Sequence, residues 1–339
     1  MKNSITHFSA QTQHELTFLL KLIRKHIPAS NMVILYGSYP RGDYVTWDER
    51  IEFGVRTSYQ SDFDILIVVS ISNYKVTENI LRFKVTEEYN EEMSKFYSHV
   101  TPPQFIVENI KYLNDCLGRS QYFFTDLVKD GILLFNDEQY ELAKPRQLNF
   151  HEIRTIAESE FNNYYPSAIS LTGALTSYFL PHSDYMNAAF LLHQICEKYY
   201  YVILLVCTNY KPKIHKLTEL SAMVKGFSRR LLIVFPQNTL FEKECFELLC
   251  QAYIEGRYNS SFKMTKEQLE YLLSRVEILR NITRKICEDK IAWYESQMVA
   301  DKNIETYSPP KAPKSKAADC TTGAEKLRRV NKEMTKKRK

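Results

Sequence analysis

The chain has 339 residues, more than one hydrophobic core usually holds, so its length favours two domains. Its nine glycines are few, and its seven cysteines include no Cys-x-x-Cys pair, which argues against a Gly-rich phosphate loop, a zinc site and a disulfide framework. The net charge of +5 comes from residues 308–339, which carry eleven Lys and Arg against three Asp and Glu, so the rest of the chain is slightly acidic.

Helix and strand patterns alternate through the first part of the chain. Apolar residues at helical spacing predict a helix over 14–26, and Pro28 ends it. Continuous apolar runs predict buried strands at 32–36 and 62–69, and the polar and aromatic stretch 43–61 between them predicts a hairpin or a long loop. The next predicted elements are a helix at 78–96, a strand at 104–108, a helix at 122–128 and a strand at 132–135.

Only helical patterns follow from residue 151 onward. They cover 152–178, 184–208, 214–225, 239–256 and 265–296, and they predict an all-α bundle. From residue 307, Pro, Lys, Ala and Ser replace the large apolar residues, which is typical of a disordered segment. We therefore expect an α+β domain at 1–145, a helical domain at 146–300 and a disordered basic tail at 301–339.

Two carboxylates, separated by a single residue, stand at the start of the second predicted strand. Alternate side chains of a strand point to the same side, so Asp62 and Asp64 are expected to converge. Such a pair in apolar surroundings favours a hard cation, and Mg²⁺ is often held by one or two carboxylates together with phosphate oxygens. The pattern predicts a magnesium site on Asp62 and Asp64, and the alternative is a pair of solvated surface carboxylates.

A tight turn is predicted at Gly37 and Ser38, directly after the first strand. Free backbone N–H groups in such a turn, together with the Ser38 hydroxyl, can hold phosphate oxygens. Arg41 follows three residues later and offers a charge-assisted contact to the same phosphates. The turn therefore predicts a triphosphate site beside the carboxylate pair.

Two segments resemble the signature of the DNA polymerase β-like nucleotidyltransferases. They are Leu35-Tyr36-Gly37-Ser38-Tyr39-Pro40-Arg41-Gly42 and Ser61-Asp62-Phe63-Asp64-Ile65-Leu66. The resemblance implies a mixed sheet with helices and the Mg²⁺-dependent transfer of a nucleoside monophosphate from a nucleoside triphosphate to a hydroxyl group, releasing pyrophosphate. It also implies that Asp62 and Asp64 are catalytic metal ligands, with room for two ions, and that Gly37, Ser38 and Arg41 bind the nucleotide.

A third carboxylate on a later strand completes the metal site in this family and draws a proton from the attacking hydroxyl. Glu108, at the end of the strand Phe105-Ile106-Val107, is the residue expected to do so here. The alternative is an ordinary acidic residue at a strand end. The spacing between Ser38 and Asp62 is longer than in minimal members of the family, which an inserted hairpin at 44–59 would explain.

The helical half resembles HEPN domains in the segments 188–198 and 210–217. The order of the two halves is that of bacterial nucleotidyltransferase–HEPN fusion proteins, and the layout is similar to that of kanamycin nucleotidyltransferase. Many HEPN ribonucleases use an Arg followed by a His, but here Phe262 stands where the His after Arg257 is expected, so RNA cleavage is not expected. Arg257 then has two interpretations, as a nucleotide-binding residue at the domain interface or as a structural ion pair.

Two functions are consistent with these patterns. The first is a nucleotidyltransferase acting on an unidentified hydroxyl acceptor, either a small molecule or a protein tyrosine, and the second is a nucleotide-binding sensor without transfer activity. A third, weaker hypothesis is a salt-sensitive contact of the basic tail with nucleic acid. No apolar segment has the pattern of a signal peptide or a membrane span, so a cytoplasmic protein is expected, and a homodimer is left open.

Overall fold

A mixed β-sheet lies at the centre of the N-terminal half of the chain. The computed structural model describes residues 1–52, 55–71, 75–258 and 262–300. The strands are β1 (Ser30–Tyr36), β2 (Asp48–Glu52), β3 (Val55–Tyr59), β4 (Phe63–Val69), β5 (Pro103–Asn109) and β6 (Ile132–Asn136). The sheet has the order β5-β4-β1-β6, with β1 antiparallel to β4 and β6, and with β4 parallel to β5. An antiparallel pair of β2 and β3 confirms the predicted hairpin between β1 and β4.

Helices cover both faces of this sheet. They are α1 (Ala10–His26), α2 (Ser38–Arg41), α3 (Lys75–Ile80), α4 (Thr86–Met93), α5 (Ile110–Gly118) and α6 (Tyr122–Asp130), with a π-helical segment, Leu81–Val85, between α3 and α4. Alternate residues of β4 point to opposite faces. Ile65 and Ile67 pack in one core with residues of α1 and α4, whereas Leu66 and Val68 pack in a second core with residues of α5 and α6. The central strands are therefore buried on both faces.

The second half of the chain is a bundle of helices, as predicted. The helices are α7 (Phe150–Ala174), α8 (Tyr185–Thr208), α9 (Leu217–Val224), α10 (Leu240–Gln251), α11 (Glu255–Tyr258) and α12 (Lys266–Ala300). Helix α8 supplies a large part of the bundle core, where Leu192, Tyr199 and Ile203 are fully buried. By length and mean hydropathy α8 could cross a membrane, but 72% of its apolar window is buried in the bundle, as in the core helix of a soluble protein.

A capping box fixes the start of the bundle. The Asn149 side chain accepts a hydrogen bond from the Glu152 backbone, and the Glu152 carboxylate accepts one from the Asn149 backbone in return. Arg146 donates to the same carboxylate through both terminal nitrogens, at 2.8 and 2.9 Å. Residues 142–149, which join the two halves, form neither helix nor strand and end at this cap.

The two halves are in direct contact within the compact unit Met1–Ala300. The ring of Tyr210, after α8, is buried in the core formed by α5, α6 and the sheet. The hydroxyl of Tyr122, at the start of α6, donates to the backbone oxygens of Leu205 and Val206, both at 3.1 Å. The C-terminal end of α8 is thus held against α6, which fixes one wall of the cleft described below.

The predicted strands are all present, and the predicted helices are present with shifted ends. Helix α5 was not predicted, because it follows β5 without a break and its apolar residues continue those of the strand. The domain boundaries at 145 and 300 stay predictions, and the tail 301–339 lies outside the described residues.

Candidate functional site

A cleft of about 1010 Å³ has one wall in each half of the chain. The end of β1, the start of β4, the start of β5 and part of α6 form the first wall, and the chain around α8, α9 and α12 forms the second. The charged residues that line it include Arg41, Asp62, Asp64, Lys213, Lys225 and Lys290. Most of the lining carboxylates therefore come from the N-terminal half, with Glu219 of α9 as an exception, and the lining lysines come from the helical half.

Asp62 and Asp64 lie together at the start of β4, as the sequence predicts. Asp62 directly precedes the strand, and its side chain is only 6% exposed. Asp64 pairs with Tyr36, the last residue of β1, because the two strands are antiparallel. The turn that follows β1 consequently lies beside the carboxylate pair.

Gly37 forms this turn and touches the pair. Its φ angle is +79°, in the left-handed region that favours glycine. A Cβ atom added at this position would lie 2.1 Å from Oδ2 of Asp64. Any side chain at residue 37 would therefore displace the carboxylate of Asp64.

Ser38 and Arg41 line the same cleft on the short helix α2. The Arg41 side chain is half exposed, and its Nε donates to Oδ2 of Asp43 at 3.3 Å. The charge of Arg41 acts to lower the pKa of Asp64, which indicates that the guanidinium lies near the pair. The structure thus brings four predicted residues, Gly37, Ser38, Asp62 and Asp64, to one place, with Arg41 at the edge.

Burial disfavours ionisation of the two carboxylates. Burial raises the pKa of Asp62, and the neighbouring Lys225 offsets part of that rise. Burial, and then repulsion from Asp62, raise the pKa of Asp64 to about 7, against the opposing effects of Arg41 and Lys225. A bound cation would relieve both effects.

Lys225 supplies the nearest positive charge. Its Nζ donates to Oδ1 of Asp62 at 2.7 Å, across 163 residues of sequence. The lysine lies in the short 3₁₀ helix Lys225–Phe227, directly after α9. This ion pair joins the helical half to the predicted metal ligand.

The donor set fits a magnesium ion that is shared with a phosphate. Two converging carboxylates supply hard oxygen ligands, and Mg²⁺ commonly completes its shell with water and substrate phosphate. Over residues 1–52, 55–71, 75–258 and 262–300, no group of three His, Cys, Asp or Glu side chains is arranged to hold a metal. The pair therefore fits an open site and not a closed protein cage.

Glu108 does not complete the carboxylate pair, contrary to the sequence prediction. In the parallel ladder of β4 and β5, Glu108 pairs with Val68, four residues beyond Asp64. That separation is about 13 Å along the strand. The partner of Asp64 in this ladder is Gln104, which also lines the cleft. Because the two strands are parallel, the start of β5 lies beside the start of β4. A residue at the end of β5 therefore cannot reach the start of β4.

Glu108 has a separate environment under the helical half. Its side chain is buried, the Tyr210 hydroxyl donates to its Oε1 at 3.4 Å, and its Oε2 has no hydrogen-bond partner. Burial raises the pKa of Glu108 to about 7, against the opposing effect of Lys213. The residue belongs to the contact between the two halves.

The remaining predicted nucleotide-binding residue is Arg257. It belongs to helix α11, but its side chain lies outside the described part of the chain, as do residues 259–261. Phe262, at the position where HEPN ribonucleases have a histidine, is 8% exposed and packs in the core of the bundle. Both interpretations of Arg257 stay predictions.

The fold and the cleft define a protein in which a mixed α/β half is joined to a helical bundle. Comparison with protein families then identifies part of the bundle: residues 176–286 match the HEPN domain, so the chain contains a HEPN domain there. The match begins before α8 and ends within α12, and it includes Lys225. A search of curated proteins finds no match to the chain.

The sequence patterns missed two residues of the site. Lys225 follows an apolar stretch and has no motif around it, so only the contact between the halves reveals it. Gln104 carried a signal, because Pro102 and Pro103 place it at the start of its strand. Only the direction of β5 relative to β4 shows that the start of β5, and hence Gln104, lies beside Asp64.

Proposed function

We propose that the cleft binds a nucleoside triphosphate with Mg²⁺, and that the chain transfers the nucleoside monophosphate to a hydroxyl acceptor. Asp62 and Asp64 would hold the cation, and the Gly37–Ser38 turn and Arg41 would hold the phosphates. The observation that carries the proposal is the convergence of the carboxylate pair with this turn at one end of the sheet. The strand order supports a DNA polymerase β-like nucleotidyltransferase domain ahead of the HEPN domain.

The size and charge of the cleft support a nucleotide in preference to phosphate alone. A volume of about 1010 Å³ exceeds what a phosphate chain requires and leaves room for a base and an acceptor. Lys213, Lys225 and Lys290 line the cleft from the helical side and can balance the charge of a triphosphate. Tyr36, Phe123 and Tyr210 add apolar surface to the cleft.

The proposed reaction forms a bond between the acceptor oxygen and the α-phosphorus and breaks the bond to pyrophosphate. The acceptor proton must pass to a base. The residue beside Asp64 on β5 is Gln104, whose amide cannot take that proton. We therefore expect transfer to be slow unless the acceptor ionises easily, as a phenol does more readily than an alcohol.

A second function, nucleotide sensing without transfer, is favoured by this same amide. A site with two carboxylates and Gln104 retains cation and phosphate binding but lacks the third acid. In that case nucleotide binding would act on the HEPN domain, which contributes one wall of the cleft. The ordered contact between the halves supplies a route for that effect.

The test is to incubate the full chain with Mg²⁺ and each nucleoside triphosphate labelled at the α-phosphate. Label that appears on the protein or on an added hydroxyl compound supports transfer, and saturable binding without transfer supports sensing. Asp62→Ala and Asp64→Ala should each lose Mg²⁺-dependent binding. Glu108→Gln is the matched control, since it removes a carboxylate that is as buried as Asp62 and lies outside the pair. Full affinity in the double variant Asp62→Ala with Asp64→Ala would refute the site.

A further inference from the structure

The ion pair between Lys225 and Asp62 occupies the position that a metal ion would need. The ammonium lies 2.7 Å from Oδ1 of Asp62, and the two side chains are 24% and 6% exposed. An inner-sphere metal on Asp62 requires a lone pair of the same carboxylate, and two cations at that distance from one oxygen repel each other. The lysine and a cation on Asp62 thus exclude or weaken one another.

The backbone that carries Lys225 is held in place on both sides. Before it, Arg82 donates to the Glu219 carboxylate of α9 at 2.6 Å. After it, Arg229 donates to Oδ2 of Asp48 at 2.7 Å. These contacts tie the segment Leu217–Ile233 of the HEPN domain to the N-terminal half. Lys225 is therefore presented to Asp62 by a fixed support, and its side chain can move without the support moving.

The side chain of Lys225 borders the cleft, while the backbone beside it packs against the N-terminal half. Lys225 lines the cleft next to the carboxylates, and the next residue, Gly226, would place an added Cβ 3.4 Å from the Tyr59 hydroxyl. The backbone is thus close against β3, whereas the cleft side is open. When a phosphate enters the cleft, the ammonium can exchange a carboxylate oxygen for a phosphate oxygen.

We infer that Lys225 is a built-in competitor of the metal ion: it neutralises Asp62 in the empty cleft and leaves it for phosphate when metal and nucleotide bind together. This inference rests on the proposed function, since it concerns the same site. Its consequence is that metal alone binds weakly, and that metal with a polyphosphate binds tightly. The HEPN domain thereby sets the order of loading, with free cation disfavoured and the cation–polyphosphate complex favoured.

The experiment measures two affinities in the full chain, for Mn²⁺ alone and for inorganic tripolyphosphate in the presence of Mn²⁺. Mn²⁺ is used because its binding can be followed by electron paramagnetic resonance, and tripolyphosphate because it does not depend on which base is recognised. Lys225→Met should bind Mn²⁺ alone about tenfold more tightly, and the tripolyphosphate complex about tenfold more weakly. Lys225→Arg should retain the wild-type order of the two affinities.

A matched control separates this effect from a change in net charge. Lys285 also pairs with an aspartate at 2.7 Å, to Asp289 on α12, but both side chains are exposed and neither lines the cleft. Lys285→Met removes the same charge and should leave both affinities unchanged. Lys225→Gln replaces Lys225→Met if thermal melting shows that the methionine variant is not folded.

The possible outcomes are distinct. Opposite shifts of the two affinities in the Lys225 variant support the inference. Unchanged or weaker Mn²⁺ binding in that variant, with binding still lost in Asp64→Asn, would overturn the inference and leave the proposed metal site standing. No Mn²⁺ binding to wild type or to the Lys225 variant, with or without tripolyphosphate, would overturn both.

Discussion

Gln104 and Asp64 face each other across β4 and β5, and an amide at this position limits the site to two carboxylates. Position 104 on β5 lies beside Asp64, so a third ligand at this position could reach the cation. Its chemistry decides between the two proposed functions more directly than any other single residue, because an amide binds a cation more weakly than a carboxylate and cannot accept a proton.

Gln104→Glu is expected to strengthen Mn²⁺ binding by about tenfold, because a third carboxylate would join the pair. Without metal the same variant should melt at a lower temperature at pH 8, since three neighbouring carboxylates repel one another. Binding titrations and thermal melting with and without Mn²⁺ measure both effects. If Gln104→Glu leaves Mn²⁺ affinity as it is in wild type, the side chain at 104 does not reach the cation.

Asp64 should lower the stability of the metal-free protein as the pH rises. Its pKa is raised to about 7 by burial and by Asp62, from an ordinary value of 3.8. Between these values the unfolded state loses the proton and the folded state keeps it, so the unfolded state gains in relative stability until the pH passes 7. Asp64→Asn should therefore match wild type near pH 4 and melt about 2 °C or more above it at pH 8.

Melting curves from pH 4 to pH 8 in a chelating buffer test this expectation. Asp43→Asn is a suitable control because Asp43 is exposed and pairs with Arg41 outside the carboxylate pair. A constant difference in melting temperature between Asp64→Asn and wild type across the whole range would show that the pKa of Asp64 is not raised.

Among the elements, the strands were the most predictable and their pairing the least. The apolar runs at β1 and β4 mark both strands, because a strand buried on both faces has no polar alternation. The sequence also marks the turn at Gly37, since Gly-Ser ends a buried run. That the turn contacts Asp64 depends on the antiparallel register of β1 and β4, which is a tertiary property.

Gly37→Ala should disrupt the site through this contact. The added methyl group would meet Oδ2 of Asp64, and the backbone at φ +79° and ψ −144° is unfavourable for alanine by about 1–3 kcal/mol. We expect Mn²⁺ binding to be lost and the melting temperature to fall.

Gly42→Ala is the matched control for that substitution. Gly42 also has a positive φ, +82°, although its ψ is 13° where that of Gly37 is −144°, and an added Cβ would meet no atom within 4 Å. Gly42→Ala should therefore lose stability only through its unfavourable backbone conformation, and it should keep Mn²⁺ binding. Equal loss of binding in both variants would mean that backbone strain, and not the contact with Asp64, is responsible.

For the whole molecule, charge divides between the tail and the rest of the chain. Residues 308–339 carry the excess of Lys and Arg and contain few large apolar residues. Truncation after Thr306 is therefore expected to leave the melting temperature and Mn²⁺ binding unchanged. Any affinity for single-stranded RNA or DNA should fall with the truncation, and in the full chain it should fall steeply with salt.

Melting curves and nucleic-acid titrations at two salt concentrations compare the truncated and full chains. A truncated protein that loses its melting transition would show that the predicted boundary is misplaced. Salt-sensitive binding that survives truncation would assign that binding to residues before 307.

The sequence by itself determined the local elements, the helical character of the second half, the turn at Gly37 and the pair Asp62 and Asp64. Each of these depends on residues close together in the chain, where apolar spacing and backbone preference act directly. The tertiary structure alone decided that β5 runs parallel to β4, which puts Gln104 and not Glu108 beside Asp64. It also decided that Lys225 meets Asp62. Strand direction and the contact between the halves depend on the packing of whole faces, which no short pattern encodes.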